Sequence, residues 1–115
     1  MRKLVKIFSA LSDETRIRIL KILQERDCCV CEVMQALDIS QSRASRNLSI
    51  LEGAGFVSSW RDGLWMVYCI NKQSVNSVNS LLHMLSNFME GEDIIKNDKE
   101  RLERAEKIGC GALRK

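Results

Sequence analysis

The sequence predicts a mainly α fold carrying one β-hairpin, on three observations. Apolar residues recur at helical spacing in two short segments, Val30, Val33, Met34 and Leu37, then Ala44, Leu48 and Leu51, separated by Asp38-Ile39-Ser40. Two β-prone runs, 56–61 and 64–70, meet at Asp62-Gly63, a strong hairpin signal. A last stripe, Val75, Val78, Leu82, Leu85 and Met89, steps by three and four like a heptad seam. Helix, short turn, helix, hairpin is the order of a winged helix-turn-helix, and the seam predicts that it forms a homodimer.

The elements follow in order. Leu4, Ile7, Phe8 and Leu11 mark one stripe of a first helix. Ser12 is expected to cap a second helix, with Asp13 and Glu14 in the first turn, where the helix dipole favours acids. Ile17, Ile19, Leu20, Ile22 and Leu23 leave that helix apolar around most of its circumference, which predicts a central place in the core. A third helix starts near Cys28, Cys29 and Cys31. Ser40 caps a fourth, with Ile39 placed to staple against Ala44, and Gly55 supplies the left-handed residue at its end. Residues 94–108 are mostly charged, with a sparse apolar trace at Ile95, Leu102 and Ala105. The expected division is 1–92 for the DNA-binding and dimerisation domain, and 93–115 for a charged C-terminal helix or tail carrying Cys110.

With 115 residues the chain has room for one core. No apolar run approaches the roughly 20 residues of a membrane span, and the N-terminal segment does not read as a secretory signal, so a cytosolic protein is expected. Residues 1–26 carry a net +4, residues 27–72 a net −1 and residues 73–115 a net 0, a balance that permits nucleic-acid binding without demanding it. One histidine, no phosphate loop and no defensible nucleophile–base or paired-carboxylate spacing argue against an enzyme.

The outward residue types of the fourth helix are those that read DNA. Gln41 suits adenine edges, Arg43 and Arg46 suit guanine or phosphate, and Ser42 and Ser45 donate to phosphate. No acid lies between Asp38 and Glu52 to repel the backbone. Arg61 sits at the hairpin tip, in reach of a minor groove or a phosphate. The bland alternative is a solvated polar helix face; cap, staple, acid gap and hairpin together favour the groove-reading one.

Five cysteines without a secretory signal point to metal or redox chemistry rather than a disulfide scaffold. Three of them fall within four positions.

These residues resemble the ArsR/SmtB family of metal-responsive bacterial repressors. SALSDETRIRIL (9–20) is similar to the family's early helix-turn segment, SQSRASRNLSILEGAGFV (40–57) to its recognition helix, and DGLWMVYCI (62–70) to its wing. CCVCEV (28–33) resembles the cysteine box of its arsenic and cadmium/lead sensors, in which Cys29 and Cys31 match the Cys-Val-Cys pair. The resemblance implies a homodimeric repressor, with residues 75–89 and 4–11 at the dimer surface, that leaves double-stranded operator DNA when arsenic(III) or antimony(III) binds thiolates. No cofactor is implied for DNA binding itself. Where the arsenic repressors carry a third cysteine this chain has Met34, so the third ligand is expected from Cys28 or from Cys110. Cys69, in the wing strand, is expected to be structural. His83 alone on the last dimer helix does not make the family's other metal site.

Thiols select soft metals, and three close cysteines without a nearby histidine favour arsenic(III) or antimony(III). Residues i and i+2 of a helix point about 200° apart, so ligation by Cys29 and Cys31 is expected to deform the first turn of the third helix and disturb the reading helix beside it. Three alternatives stay open: the same fold answering cadmium or lead, release by oxidation of Cys28, Cys29 and Cys31, and an interaction module that never touches DNA.

Overall fold

The computed structural model describes residues 1–73, 76–88 and 91–107, with the backbone alone at Asn76 and Ser77. Helices α1 (Arg2–Leu11) and α2 (Glu14–Glu25) lead into a two-residue strand β1 (Cys28–Cys29), then α3 (Val30–Leu37) and α4 (Gln41–Gly53). Strands β2 (Val57–Asp62) and β3 (Trp65–Ile70) form the hairpin, and α5 (Asn76–Phe88) and α6 (Asp93–Glu103) follow. The sheet order is β1-β3-β2, antiparallel throughout. This is the winged helix-turn-helix arrangement.

α2 is the centre of the core, as its all-round apolar pattern predicts: Ile19, Leu20, Ile22 and Leu23 are all buried. Its N-cap is Asp13 and not Ser12; the Asp13 carboxylate accepts from the Arg16 N–H at 3.1 Å. Ser12 instead closes the end of α1, its hydroxyl donating to the Ser9 carbonyl at 2.8 Å. Either residue type can cap, and a shift of one position decides which element receives it.

The turn between α3 and α4 has local causes. Asp38 ends α3 in the left-handed region (φ 56), which a short polar side chain tolerates. Ser40 caps α4 by accepting from the Arg43 N–H at 3.2 Å. Ile39 is buried with Ala44 in the same cluster, as a staple requires. α4 then ends in a Schellman motif. Gly55 (φ 90) donates to the Glu52 carbonyl at 3.1 Å, and Phe56 to the Leu51 carbonyl at 3.0 Å.

The hairpin turns one residue later than its dipeptide suggests. Asp62 pairs with Trp65, so the two loop residues are Gly63 and Leu64. Gly63 has φ 61 while Leu64 stays negative, the pattern in which glycine takes the first loop position. β1 has no counterpart in the sequence reading: Cys28 and Cys29 pair with Tyr68 and Val67.

The last two helices close the core. α5 buries Val78 and Leu82 inside its own subunit, so these two seam positions are not available to a second copy. Val75 and Met89, the ends of the seam, lie outside the described residues. Gln24 and Lys21 on α2 donate to the Leu82 and Ser86 carbonyls at 3.1 Å each. α6 packs on α2 and α3 through buried Ile95, Asp98 and Leu102.

Candidate thiol site and nucleic-acid interface

Residue alternation along β1 separates the adjacent cysteines. Cys28 points into the apolar core, with its Sγ 3.4 Å from the Arg26 carbonyl. Cys29 is the N-cap of α3 in extended backbone (φ −81, ψ 167), and Cys31 is the second residue of that helix. Because Cys29 stands outside the helix, the 200° argument does not apply to it. Its thiol is a near neighbour of that of Cys31. The expected unwinding of α3 assumed that both cysteines lie within the helix, and Cys29 does not.

Cys29 and Cys31 open on one cleft of about 440 Å³, bounded also by Val30, Gln41, Ser45, Leu64, Trp65, Met66 and Tyr68. Cys28 is not among its walls. Of the expected ligands, then, the structure brings Cys29 and Cys31 together and leaves Cys28 behind; Cys110 lies outside the described residues. Among the described residues no group of three His, Cys, Asp or Glu side chains is placed to hold a metal ion. Cys69 is half-buried in β3, its Sγ 3.2 Å from the Ser58 Oγ across the hairpin, in keeping with a structural role. His83 is exposed on α5.

Electrostatics keep the Cys28 and Cys29 thiols protonated. Burial pushes Cys29 up to about 12, and the neighbouring Cys31 thiol adds to the rise. Burial, with the Glu32 carboxylate nearby, pushes Cys28 up to about 12 as well. Glu32 itself is the buried acid of the site. Burial disfavours its charge, but the Cys29 N–H at 3.0 Å and the Arg26 guanidinium at 2.7 Å outweigh that and hold its pKa below the ordinary carboxylate range. The same contact to Cys29 fixes the start of α3 as half of a capping box.

The groove-reading candidates lie on the surface. Gln41, Ser42, Arg43, Arg46 and Arg61 are exposed, and Ser45 is half-buried. Gln41 and Ser45 also form the polar edge of the thiol cleft. Arg43 is held by α2, its Nη2 donating to the Thr15 Oγ1 at 3.0 Å. Arg16 clamps three elements: its guanidinium donates to the Ser9 and Ala10 carbonyls at the end of α1 and to Asn47 Oδ1 on α4, at 2.8–3.1 Å. Sequence reasoning missed Thr15, Arg16 and Asn47 in this role. A buried threonine and a mid-helix asparagine facing inward were the available signals.

Comparison with known proteins places these features in context. The family described as bacterial regulatory protein, arsR family, matches residues 13–59, from the cap of α2 into the wing. An arsenic resistance transcriptional regulator of Pseudomonas putida is 38% identical over 77 residues, which is 66% of this chain and 60% of that relative, less than two thirds of its length. The arsenical resistance operon repressor of Bacillus subtilis is 32% identical over 81 residues, 70% of this chain and 77% of that one. Among solved structures, the homodimeric winged helix-turn-helix DNA-binding domain of a possible ArsR-family regulator from Mycobacterium bovis superposes with a TM-score of 0.65 at 25% identity, covering 73% of this chain and 75% of the other.

Proposed function

Because this chain belongs to the arsR family of bacterial regulatory proteins, and so is a transcriptional regulator and not an enzyme, we propose that it represses transcription as a homodimer and is induced by arsenic(III) or antimony(III) held by Cys29 and Cys31. The observation that carries this reading is the shared cleft: the paired thiols and two groove-reading side chains, Gln41 and Ser45, wall the same space. An occupant bonded to the thiols must bear on the first turn of α4. Gln41, Ser42, Arg43, Ser45 and Arg46 read the major groove, and Arg61 on the wing contacts phosphate or the minor groove. A coupling of roughly 1–3 kcal/mol lowers DNA affinity by about 5–150-fold, enough for induction.

A protonated Cys29 thiol favours this chemistry over cadmium, lead or zinc. Divalent ions must drive protons off their thiol ligands. Trivalent arsenic hydroxide instead takes each thiol proton away as water, and the product carries no charge into the buried site. The same protonation argues against a peroxide switch, since the thiolate is the nucleophile in oxidation. Cys28 can serve as the third ligand only by leaving the core and breaking its pairing with Tyr68.

Dimerisation uses the exposed apolar side chains of α1 and α5: Leu4, Val5 and Phe8 on α1, Met84 and Phe88 on α5. Exposed apolar groups in such number on two helices mark an association surface.

The test is a titration of arsenite, antimonite, cadmium, lead and zinc against the chain bound to fluorescent DNA from upstream of its own coding region, repeated with Cys28, Cys29, Cys31, Cys69 and Cys110 each replaced by serine. Release by the trivalent metalloids, lost in Cys29→Ser and Cys31→Ser and kept in Cys69→Ser, is the expected result. Release by cadmium or lead alone overturns the assignment of the inducer.

A further inference from the structure

The cleft offers arsenic two thiols and a largely apolar wall. Cys29 and Cys31 face it, Cys28 faces the core, and Met34, one turn further along α3, is 1% exposed in the core cluster. Arsenic(III) makes three bonds, so one valence points away from the thiols. The rest of the lining is Val30, Leu64, Trp65, Met66 and Tyr68, with Gln41 and Ser45 at the polar edge. At about 440 Å³ the space is within the range of small-molecule sites, roughly 300–1,000 Å³, and far exceeds what one arsenic atom fills. Aromatic and aliphatic walls recognise an apolar substituent, not a hydrated ion.

We infer that the preferred inducer is a trivalent arsenical carrying one organic group, R–As(OH)₂, with Cys29 and Cys31 on arsenic and the organic group R between the start of α4 and the wing strand. This deepens the arsenic reading above and rests on it. Two thiols displace two hydroxides: both As–O bonds break, two As–S bonds form, and the thiol protons leave with the hydroxides as two waters. Arsenic stays trivalent, no oxidant or reductant takes part, and the product R–As(SCys)₂ is neutral. The As–C bond is untouched. The group R lies directly against Gln41 and Ser45, so the size of the substituent, and not only the sulfur chemistry, moves the reading helix. A third thiol is then unnecessary.

The experiment compares phenylarsenic(III) dihydroxide with arsenite as releasers of the full chain from the same fluorescent DNA. The phenyl compound is expected to act at an at least tenfold lower concentration. Cys110→Ser is expected to leave that response unchanged, and Cys29→Ser to abolish it. Phenylarsenic binds close thiol pairs well in general, so the deciding variant is Trp65→Ala, at the half-exposed start of β3. Its removal should shrink the advantage of phenylarsenic over arsenite by about fivefold or more; taking the ratio of the two ligands within each variant cancels any change in DNA affinity. Peptide mass mapping should find one phenylarsenic bridging Cys29 and Cys31. An unchanged ratio in Trp65→Ala, a bridge to Cys110, or equal or better release by arsenite overturns the inference and leaves the arsenic reading standing. Release by neither compound overturns both.

Discussion

Asp98 on α6 and Arg18 on α2 form a two-point ion pair across 80 residues of chain, at 2.8 and 2.9 Å. The Asp98 side chain is fully buried. Arg101 joins the same carboxylate at 2.7 Å, and the two arginines also cap the end of α3: Arg18 donates to the Leu37 carbonyl and Arg101 to the Ala36 carbonyl. One buried acid thus fixes the far end of the helix that starts at the thiols.

Removing that acid should be costly. Asp98→Ala leaves the half-buried guanidinium of Arg18 without its buried countercharge, for which a loss of up to about 3–5 kcal/mol is expected. Urea unfolding followed by circular dichroism checks it. Asp98→Asn, which keeps an acceptor oxygen, should lose less.

The groove contacts can be separated from the scaffold by salt. Arg46→Ala should weaken operator binding and lower the slope of log affinity against log salt by about one. Thr15→Val should keep the slope, because Arg43 retains its charge, while lowering affinity through loss of the 3.0 Å bond that orients it. Fluorescence anisotropy at several salt concentrations measures both, and an unaltered slope in Arg46→Ala removes that residue from the interface.

The two adjacent cysteines should part company. Cys29→Ser is expected to bind DNA normally and to lose arsenite release. Cys28→Ser should keep release but lower stability by about 1–3 kcal/mol, since a hydroxyl is less at home than a thiol in the apolar core. Thermal melts paired with the DNA-release assay distinguish the two.

Acid should loosen the start of α3. The folded pKa of Glu32 lies below its ordinary value of 4.5, so its contribution to stability is complete above that value and disappears as the pH falls through the lower, folded one. Glu32→Gln should flatten this part of the stability profile below pH 4.5. Equal acid sensitivity in the two proteins counts against the role given to the Arg26–Glu32 pair.

Association should depend on the exposed apolar groups. Phe8→Asp and Phe88→Asp put charges in place of rings that are largely exposed among the described residues, at 53% and 75%. Both should shift sedimentation toward the monomer and weaken operator binding with little change in monomer stability. A dimer that persists in both variants relocates the interface.

The helices, their caps and the helix-turn-helix spacing were legible in the amino-acid order because their causes lie within a turn or two of chain: apolar periodicity, Ser40 three residues before the N–H it accepts from, Gly55 at the one left-handed position of its motif. So were the outward residues of α4. What the order of residues left open depends on contacts between distant segments. β1 exists because β3 supplies its hydrogen bonds, and that pairing sends Cys28 into the core and Cys29 toward the cleft. The hairpin register slipped by one residue because Gly63 takes the first loop position. Val78 and Leu82 went to the core rather than the seam because α2 stands beside them. A charge-rich C-terminal segment became a docked helix because Asp98 meets Arg18. Each of these is a choice between faces, and a face is known only once its partner is in place.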